Sequence, residues 1–390
     1  MEISYHVSWR RNSGAGGSCS SLTVSNGLLL SGGGGMVCQY GCSGTITTMS
    51  YICTDFSIDE NWSFGENRLA FNFTDRTEDT IAIGFTGGCW ISPLGCSWNI
   101  STTFSLNIRN DTGQINSSPR AITTPVLRLQ QGCNHTIPLA VSDPDGDIIR
   151  CRWAVGRECA SVCNVTAFPG AQLDSDTCTI HYEANRGARY WAAAVMIEDF
   201  IPGSLQPLSS VAFQFLVLVV ASTDPCSQQP ELIDPTPPQG SCVAVPPGTT
   251  FTTQLTATSG SSSASITEIQ TVSPIGTRRG ELEHNTGTSI YYINITWTPA
   301  ADQQNETHSF CYIAVNSEGL ASEQSCIQLL VGYHPPALLP DTATPNQQLV
   351  HSSNTTWYIE FDRNIQRPVI PSYIIFYEFT SELEGDQHCT

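Results

Sequence analysis

Short segments in which apolar residues alternate with polar ones recur along most of this 390-residue chain. The clearest lie in residues 251–257, 291–297 and 326–331, and residues that favour turns separate them. A period of two places the apolar side chains on one face of a β-strand, whereas an amphipathic helix needs a period of 3.6. Many short strands separated by turns are typical of β-sandwiches. The sequence therefore predicts an all-β chain built of tandem β-sandwich modules.

The length of the chain exceeds what one hydrophobic core usually holds, so several modules of about 100 residues are expected. Pro125, Pro225 and Pro336 lie in turn-rich segments that we interpret as module borders. The last piece is too short for a complete sandwich, which indicates either that the chain is cut there or that its strands complete a neighbouring subunit. The predicted modules are a Cys-rich sandwich at 1–120, a sandwich with a Cys-rich insertion at 121–224, a third sandwich at 225–335 and a partial β module at 336–390.

Sixteen cysteines are spread along the chain, and this even number predicts a disulfide framework formed in an oxidising compartment. Cys38 with Cys42 and Cys159 with Cys163 have spacings that a zinc site also uses, but no second pair and no histidine lies nearby. The cysteines predicted to form disulfides are Cys19, Cys38, Cys42, Cys53, Cys89, Cys96, Cys133, Cys151, Cys159, Cys163, Cys178, Cys226, Cys242, Cys311 and Cys326. Cys226 is expected to supply the sixth cysteine of the second module.

Ten Asn-x-Ser/Thr sequons occur in the chain, more than chance predicts, and each is an acceptor site for an N-linked glycan. They indicate a secreted protein or a cell-surface ectodomain. The candidate acceptors are Asn61, Asn72, Asn99, Asn110, Asn116, Asn134, Asn164, Asn294, Asn305 and Asn354.

The formal net charge of −19 argues against nucleic acids and anionic membranes as partners, because binding to either relies on clustered cations. All 16 Lys+Arg residues are arginine. The most apolar run, residues 213–221, is too short to cross a bilayer as a helix, so no transmembrane segment is expected.

An acidic turn, Asp143-Pro-Asp-Gly-Asp147, separates two alternating segments and predicts a β-hairpin. Carboxylates on one tight turn repel one another unless a cation or hydrogen-bond donors lie between them. Asp143, Asp145 and Asp147 are therefore candidate Ca²⁺ ligands, with Asp199 as a further ligand from a later strand. A solvated acidic turn is the alternative interpretation.

Two parts of the chain resemble known families. The turn Asp143–Asp147 is similar to the acidic turns of cadherin-like modules, and Trp297 to Cys326 resembles the later strands of immunoglobulin-like and fibronectin-like modules. The whole looks like the tandem modules of large animal cell-surface or matrix glycoproteins. This resemblance implies adhesion, matrix or filament structure, with Ca²⁺ stiffening the module junctions.

We therefore expect an extracellular structural or adhesive glycoprotein, the protomer of a glycosylated filament that self-associates head to tail by β-strand addition. The alternative is a receptor-type ectodomain that binds protein or carbohydrate. Catalysis is not expected, because the eight histidines are scattered and neither Gly-x-Ser-x-Gly nor His-Glu-x-x-His occurs.

Overall fold

The computed structural model describes residues 1–11, 18–88, 98–163, 167–333 and Leu339. Their regular structure is almost entirely β, with one five-residue helix, α1 (Ser21–Ser25), and three short 3₁₀ turns. The all-β class of tandem, disulfide-bonded sandwich modules is confirmed. The predicted partial module, 336–390, lies outside the described residues apart from Leu339.

The first module contains six strands that pair in the antiparallel order β1-β4-β3-β2-β5-β6. Ile3, Ile81 and Phe104 form one part of its core, and Tyr51 packs with Cys19 and Cys53 in another. The strands are β1 (Glu2–Arg10), β2 (Leu29–Tyr40), β3 (Thr45–Ser57), β4 (Trp62–Ala70), β5 (Thr80–Gly87) and β6 (Trp98–Ser105).

The second module packs a sheet containing β8, β15, β14 and β11 against two smaller sheets, β10-β7 and β12-β13-β9. Phe168, Ile180 and Val217, none of them exposed, lie in its core. The strands are β7 (Arg120–Ile122), β8 (Val126–Gln130), β9 (Asn134–Pro138), β10 (Ala140–Ser142), β11 (Ile148–Trp153), β12 (Gln172–Asp174), β13 (Thr179–Glu183), β14 (Arg189–Phe200) and β15 (Ser209–Val220).

The third module packs the sheet β16-β18-β22-β20, in which β21 also pairs with β22, against the sheet β17-β24-β23-β19. This distribution of strands between two layers is that of an immunoglobulin-like sandwich, and Trp297 lies in its core. The strands are β16 (Glu231–Ile233), β17 (Cys242–Val245), β18 (Phe251–Thr258), β19 (Ile266–Val272), β20 (Arg278–Arg279), β21 (Glu283–His284), β22 (Ile290–Trp297), β23 (Thr307–Asn316) and β24 (Ser325–Val331).

The hairpin predicted around the acidic turn is wrong. β10 pairs with β7, and β11 pairs with β14, so the turn carries the chain from one layer to the other. Alternation of residues defines which face of a strand is buried but not which strand is its neighbour, and that choice is made by the packing of the whole sandwich.

The modules are in direct contact. Phe104 of β6 pairs with Ser209 of β15, so the sheet of the first module continues into the second. A separate buried cluster joins Trp62 of the first module, Val126 of the second and Val272 of the third. The three modules therefore share buried apolar surface, which contributes to stability in addition to the core of each module.

Six disulfides have both of their cysteines among the described residues. Cys242 is disulfide-bonded as well. Cys226 pairs with Cys133, and so completes the second module as expected. The two closely spaced pairs considered for zinc are disulfides. Cys89 and Cys96 lie outside the described residues. The pairs are Cys19–Cys53, Cys38–Cys42, Cys133–Cys226, Cys151–Cys178, Cys159–Cys163 and Cys311–Cys326.

Candidate functional site

The acidic turn brings three of the predicted ligands together at one end of the second module. Asp143, Asp145 and Asp147 each place one carboxylate oxygen within 4.8 Å of the others. The turn is held by Asp143 Oδ1, which accepts hydrogen bonds from the backbone N–H groups of Asp145 and Asp147 at 2.9 and 3.0 Å. Gly146 has φ +76°, a conformation that favours glycine. The local sequence is thus sufficient to gather these carboxylates.

A buried arginine, which the sequence alone does not assign to this site, lies against the turn. Arg109, whose side chain is 5% exposed, donates through Nη2 to Asp147 Oδ1 at 2.8 Å and through Nη1 to Asp147 Oδ2. Its Nε and Nη2 also donate to Asp111 at 3.0 and 2.7 Å. Bidentate pairs of this kind are strong and directional. The arginine lowers the pKa of Asp111, and the aspartates raise the pKa of Arg109.

Asp199, the fourth predicted ligand, does not belong to this group of three, and its oxygens are already hydrogen-bonded. It is fully buried, and it accepts hydrogen bonds from Asn116 Nδ2 at 2.6 Å and from Ser209 N and Oγ at 2.6 and 2.8 Å. Asn116 Oδ1 in turn accepts a hydrogen bond from Arg109 Nη1 at 2.7 Å. Asn116 therefore links the fourth predicted ligand to the arginine, and burial raises the pKa of Asp199.

Asp143 carries the least satisfied carboxylate of the group. Its Oδ2 is buried and has no hydrogen-bond partner. Burial, together with the charges of Asp199 and Asp147, raises its pKa to about 6. A buried oxygen without a donor is costly unless it is protonated or bound to a cation.

These residues fit a divalent cation only in part. Ca²⁺ takes six to eight oxygen ligands. Asp147 already holds Arg109 with both oxygens, and Asp145 Oδ2 accepts the backbone N–H of Ser117 at 2.6 Å. The unpartnered Asp143 Oδ2 is the feature that favours a cation, and most of the remaining ligands would have to be water or a bound partner.

A second charged cluster lies between the first and third modules. Asp55 of β3, 1% exposed, accepts hydrogen bonds from Thr271 N and Oγ1 of β19 at 2.6 and 3.0 Å and pairs with Arg279 of β20. Glu268 of β19 accepts hydrogen bonds from Ser57 Oγ at 2.9 Å and from Gln270 Nε2 at 3.0 Å. Burial and the charge of Asp55 raise the pKa of Glu268 to about 7.

A neighbouring network strengthens the same junction. Glu66 of β4 accepts the backbone N–H of Ile275 at 2.7 Å and pairs with His6 Nε2 at 3.0 Å. Burial raises the pKa of Glu66, but these bonds outweigh burial and leave it below its usual value. Arg68 of β4 pairs with Glu306 at 2.7 Å.

The second module is tied to both of the others by one arginine. Arg128 of β8 pairs with Glu60 of the first module, which also accepts a hydrogen bond from Trp62 Nε1 at 2.6 Å. Its Nη1 donates to the backbone oxygen of Gly319 in the third module at 2.8 Å. Charged side chains buried between modules fix their relative positions, because breaking such a pair leaves an uncompensated charge.

The predicted glycan acceptors differ in their surroundings. Asn99 and Asn116 are half-buried, and both use Nδ2, the atom that carries a glycan, as a hydrogen-bond donor. Asn61 is half-buried in a turn, while Asn164 and Asn354 lie outside the described residues. The exposed acceptors are Asn72, Asn110, Asn134, Asn294 and Asn305.

The fold and its disulfides define a β-sandwich array of the kind made in an oxidising compartment. Residues 1–107 match the family described as Integrin beta-like protein A-E, N-terminal. Integrin beta-like protein C of Dictyostelium discoideum is 30% identical to this chain over a match of 104 residues, with a coverage of 25% of this chain. The match spans 5% of the length of that relative.

The chain also has a distant likeness to solved structures. The N-terminal Ig1-2 module of the Drosophila receptor protein tyrosine phosphatase DLAR is 13% identical and covers 55% of this chain and 99% of its own, with a TM-score of 0.21. Mouse clustered PcdhgC3 EC1-3 is 12% identical and covers 53% of this chain and 65% of its own, also with a TM-score of 0.21. At such scores neither likeness bears on function, and the immunoglobulin-like arrangement stands on the strand order of this chain. Within the described ranges, no helix is both long enough and apolar enough to span a membrane.

Proposed function

We propose that this chain is a multi-module part of an extracellular adhesion-type glycoprotein. The match of residues 1–107 to the N-terminal family of integrin beta-like proteins is the observation that carries this proposal. The disulfide framework and the exposed sequons support an extracellular location. Within the proposal, the charged junctions hold three modules in one arrangement, so that a binding surface is presented rigidly.

Adhesion is tested with beads coated with the folded, secreted chain. Attachment to Dictyostelium discoideum cells, the organism of the relative, is counted beside beads coated with the same chain after reduction and unfolding. We expect more cells on the folded chain at equal coating density. Equal attachment to the two preparations would contradict an adhesive role for the folded chain.

Head-to-tail assembly into a filament is the finer form of this proposal. It is motivated by the β-prone sequence of residues 336–390, because strand addition is one route to an open head-to-tail assembly. Electron microscopy of the full chain and of a chain ending at residue 335 tests it. Filaments from the full chain alone support strand addition, whereas filaments from both or from neither contradict it.

Calcium binding at the acidic turn is proposed separately, on the strength of the unpartnered Asp143 Oδ2. Asp143 and Asp145 would supply the protein ligands, and a bound cation would offset their mutual repulsion. Asp145→Asn is then expected to lower the melting temperature in Ca²⁺ and to leave it unchanged in chelator. A loss of the same size in both conditions would show that the turn functions without the metal.

A further inference from the structure

Among the strands of the described residues, none lies beside the outer edge of β1. β1 is the terminal strand of the ten-stranded sheet, and it pairs with β4 over nine residues without a register shift. The other strands that end a sheet in the described part of the chain have two to seven residues. The two longest of these are partly covered, since Cys151 N of β11 donates to Ser175 O and Thr271 N of β19 donates to Asp55.

The register shows which backbone groups point away from the sheet. Phe71 N donates to Met1 O, and Arg11 N donates to Asn61 O, both at 2.9 Å. In an antiparallel pair, hydrogen-bonded and non-hydrogen-bonded positions alternate. The odd-numbered residues of β1 therefore bond to β4, and the N–H and C=O groups of the even-numbered residues point to the open edge.

β1 carries charges only at its two ends, Glu2 and Arg10, and lacks the other features that protect an open edge. Natural sheets block open edges with lysine, proline or a bulge, and none of these occurs in Glu2–Arg10. Residues 1–60 contain no sequon, so no N-linked glycan is attached to β1 itself. The odd-numbered side chains face the core, and the even-numbered side chains are exposed. An edge of this length is a template for another strand.

The sequence of β1 is complementary to itself in the antiparallel direction. When a second copy is centred on His6, Glu2 lies opposite Arg10, and Ser4 lies opposite Ser8. This register joins even-numbered residues to even-numbered residues, and these are the positions whose backbone groups are open. It also places two opposite-charge pairs across the edge, which stabilise neighbouring strands.

We propose that two copies of this chain associate through β1, in an isologous contact that joins their sheets edge to edge. The contact is closed by its two-fold symmetry, so it produces a dimer and not a filament. The proposed dimer rests on the open edge of β1 and on the charges of Glu2 and Arg10. It does not depend on the proposed adhesive role.

Charge-reversal variants of the full secreted chain test this contact by analytical ultracentrifugation. Glu2→Arg alone and Arg10→Glu alone each place like charges opposite one another in the homodimer. We expect each to weaken self-association by about tenfold or more. An equimolar mixture of the two variants restores opposite charges at both positions, so it is expected to form a heterodimer as tightly as the wild-type chain forms its dimer.

Ser8→Pro tests the backbone contact, because it removes an N–H that points to the open edge, and Ser8→Ala is its matched control. Dimerisation is expected to be lost in the first and retained in the second, with unchanged circular dichroism in both. A wild-type chain that stays monomeric at the highest soluble concentration overturns the proposal. A dimer that both single charge variants retain overturns it as well, since the contact would then lie elsewhere.

Discussion

Ser57 of the first module donates a hydrogen bond to Glu268 of the third at 2.9 Å, inside the junction that also holds Asp55 and Arg279. Glu268 therefore lies where two carboxylates share one arginine. Its side chain is 14% exposed, and its pKa is about 7 rather than 4.5. Glu268 is therefore protonated and uncharged in mildly acidic solution, where a free glutamate would be ionised.

The stability of this junction is expected to fall as pH rises. Between about pH 4.5 and 7 the native Glu268 binds more protons than the unfolded one, so its contribution is complete below pH 4.5 and is lost above pH 7. Glu268→Gln cannot ionise, and it should be more stable than the wild type at pH 8 by about 1–3 kcal/mol. Urea unfolding at pH 8 and pH 5 measures this, and the difference should fall to about a quarter at pH 5.

The exposed Glu231→Gln is the control, because the same charge is removed away from the junction. It is expected to have little effect at either pH. If Glu268→Gln has the same small effect at both pH values, then ionisation of Glu268 does not lower the stability of the folded protein. The pH dependence expected for the junction would be wrong.

Arg109→Gln is expected to destabilise the second module strongly. It leaves Asp147, whose side chain is 8% exposed, without the cation that both its oxygens contact. Breaking a buried pair in this way costs about 3–5 kcal/mol, whereas removing both charges costs much less. Arg109→Gln/Asp147→Asn should therefore recover much of the loss in guanidinium unfolding. Simple additivity of the two single substitutions would mean that the pair is not coupled.

The two kinds of disulfide are expected to differ in their contribution to stability. Cys133–Cys226 closes a loop of 93 residues, while Cys38–Cys42 closes one of 4. Chain entropy predicts about 4–5 kcal/mol for the first and about 2 kcal/mol for the second. Replacing each pair by alanine and measuring the free energy of unfolding tests the order. A larger loss at Cys38–Cys42 would contradict this entropic explanation.

Local features of this fold were predictable from the sequence, and long-range ones were not. The strands follow from alternation, and the grouping of Asp143, Asp145 and Asp147 follows from their places on one turn. Arg109 could not be assigned to that turn, because it reaches Asp147 across 38 residues of chain. The only available signal was electrostatic, since a cluster of buried carboxylates requires a cation or donors from elsewhere.

Separation along the chain also explains why the contacts between modules could not be predicted from the sequence. Asp55, Glu268 and Arg279 are unremarkable in sequence, and they meet only because β3 of the first module packs against β19 of the third. The alternation of apolar and polar residues along a strand does not show which other module covers its buried face. The sequence identifies Asn116 only as a sequon, although its side chain donates a hydrogen bond to Asp199.

The sequon asparagines at 99 and 116 are expected to carry no glycan in the folded protein. Asn116 Nδ2 donates to the fully buried Asp199 at 2.6 Å, and Asn99 Nδ2 donates to the backbone oxygen of Arg157. A sugar on either nitrogen would replace one of its two hydrogens and add a bulky group beside these half-buried contacts. Glycopeptide mass spectrometry of the secreted chain should find glycans at exposed acceptors such as Asn72 and unmodified asparagine at 99 and 116.

Asn116→Ala separates the packing role of this residue from its sequon. It removes a donor from a buried carboxylate, so it should lower the free energy of unfolding by about 1–3 kcal/mol. The matched control is Asn110→Ala, which removes a sequon at an exposed position six residues earlier and should have little effect once glycans are trimmed. A glycan found on Asn116 of correctly folded protein, or equal stability of the two variants, would show that Asp199 is satisfied in another way.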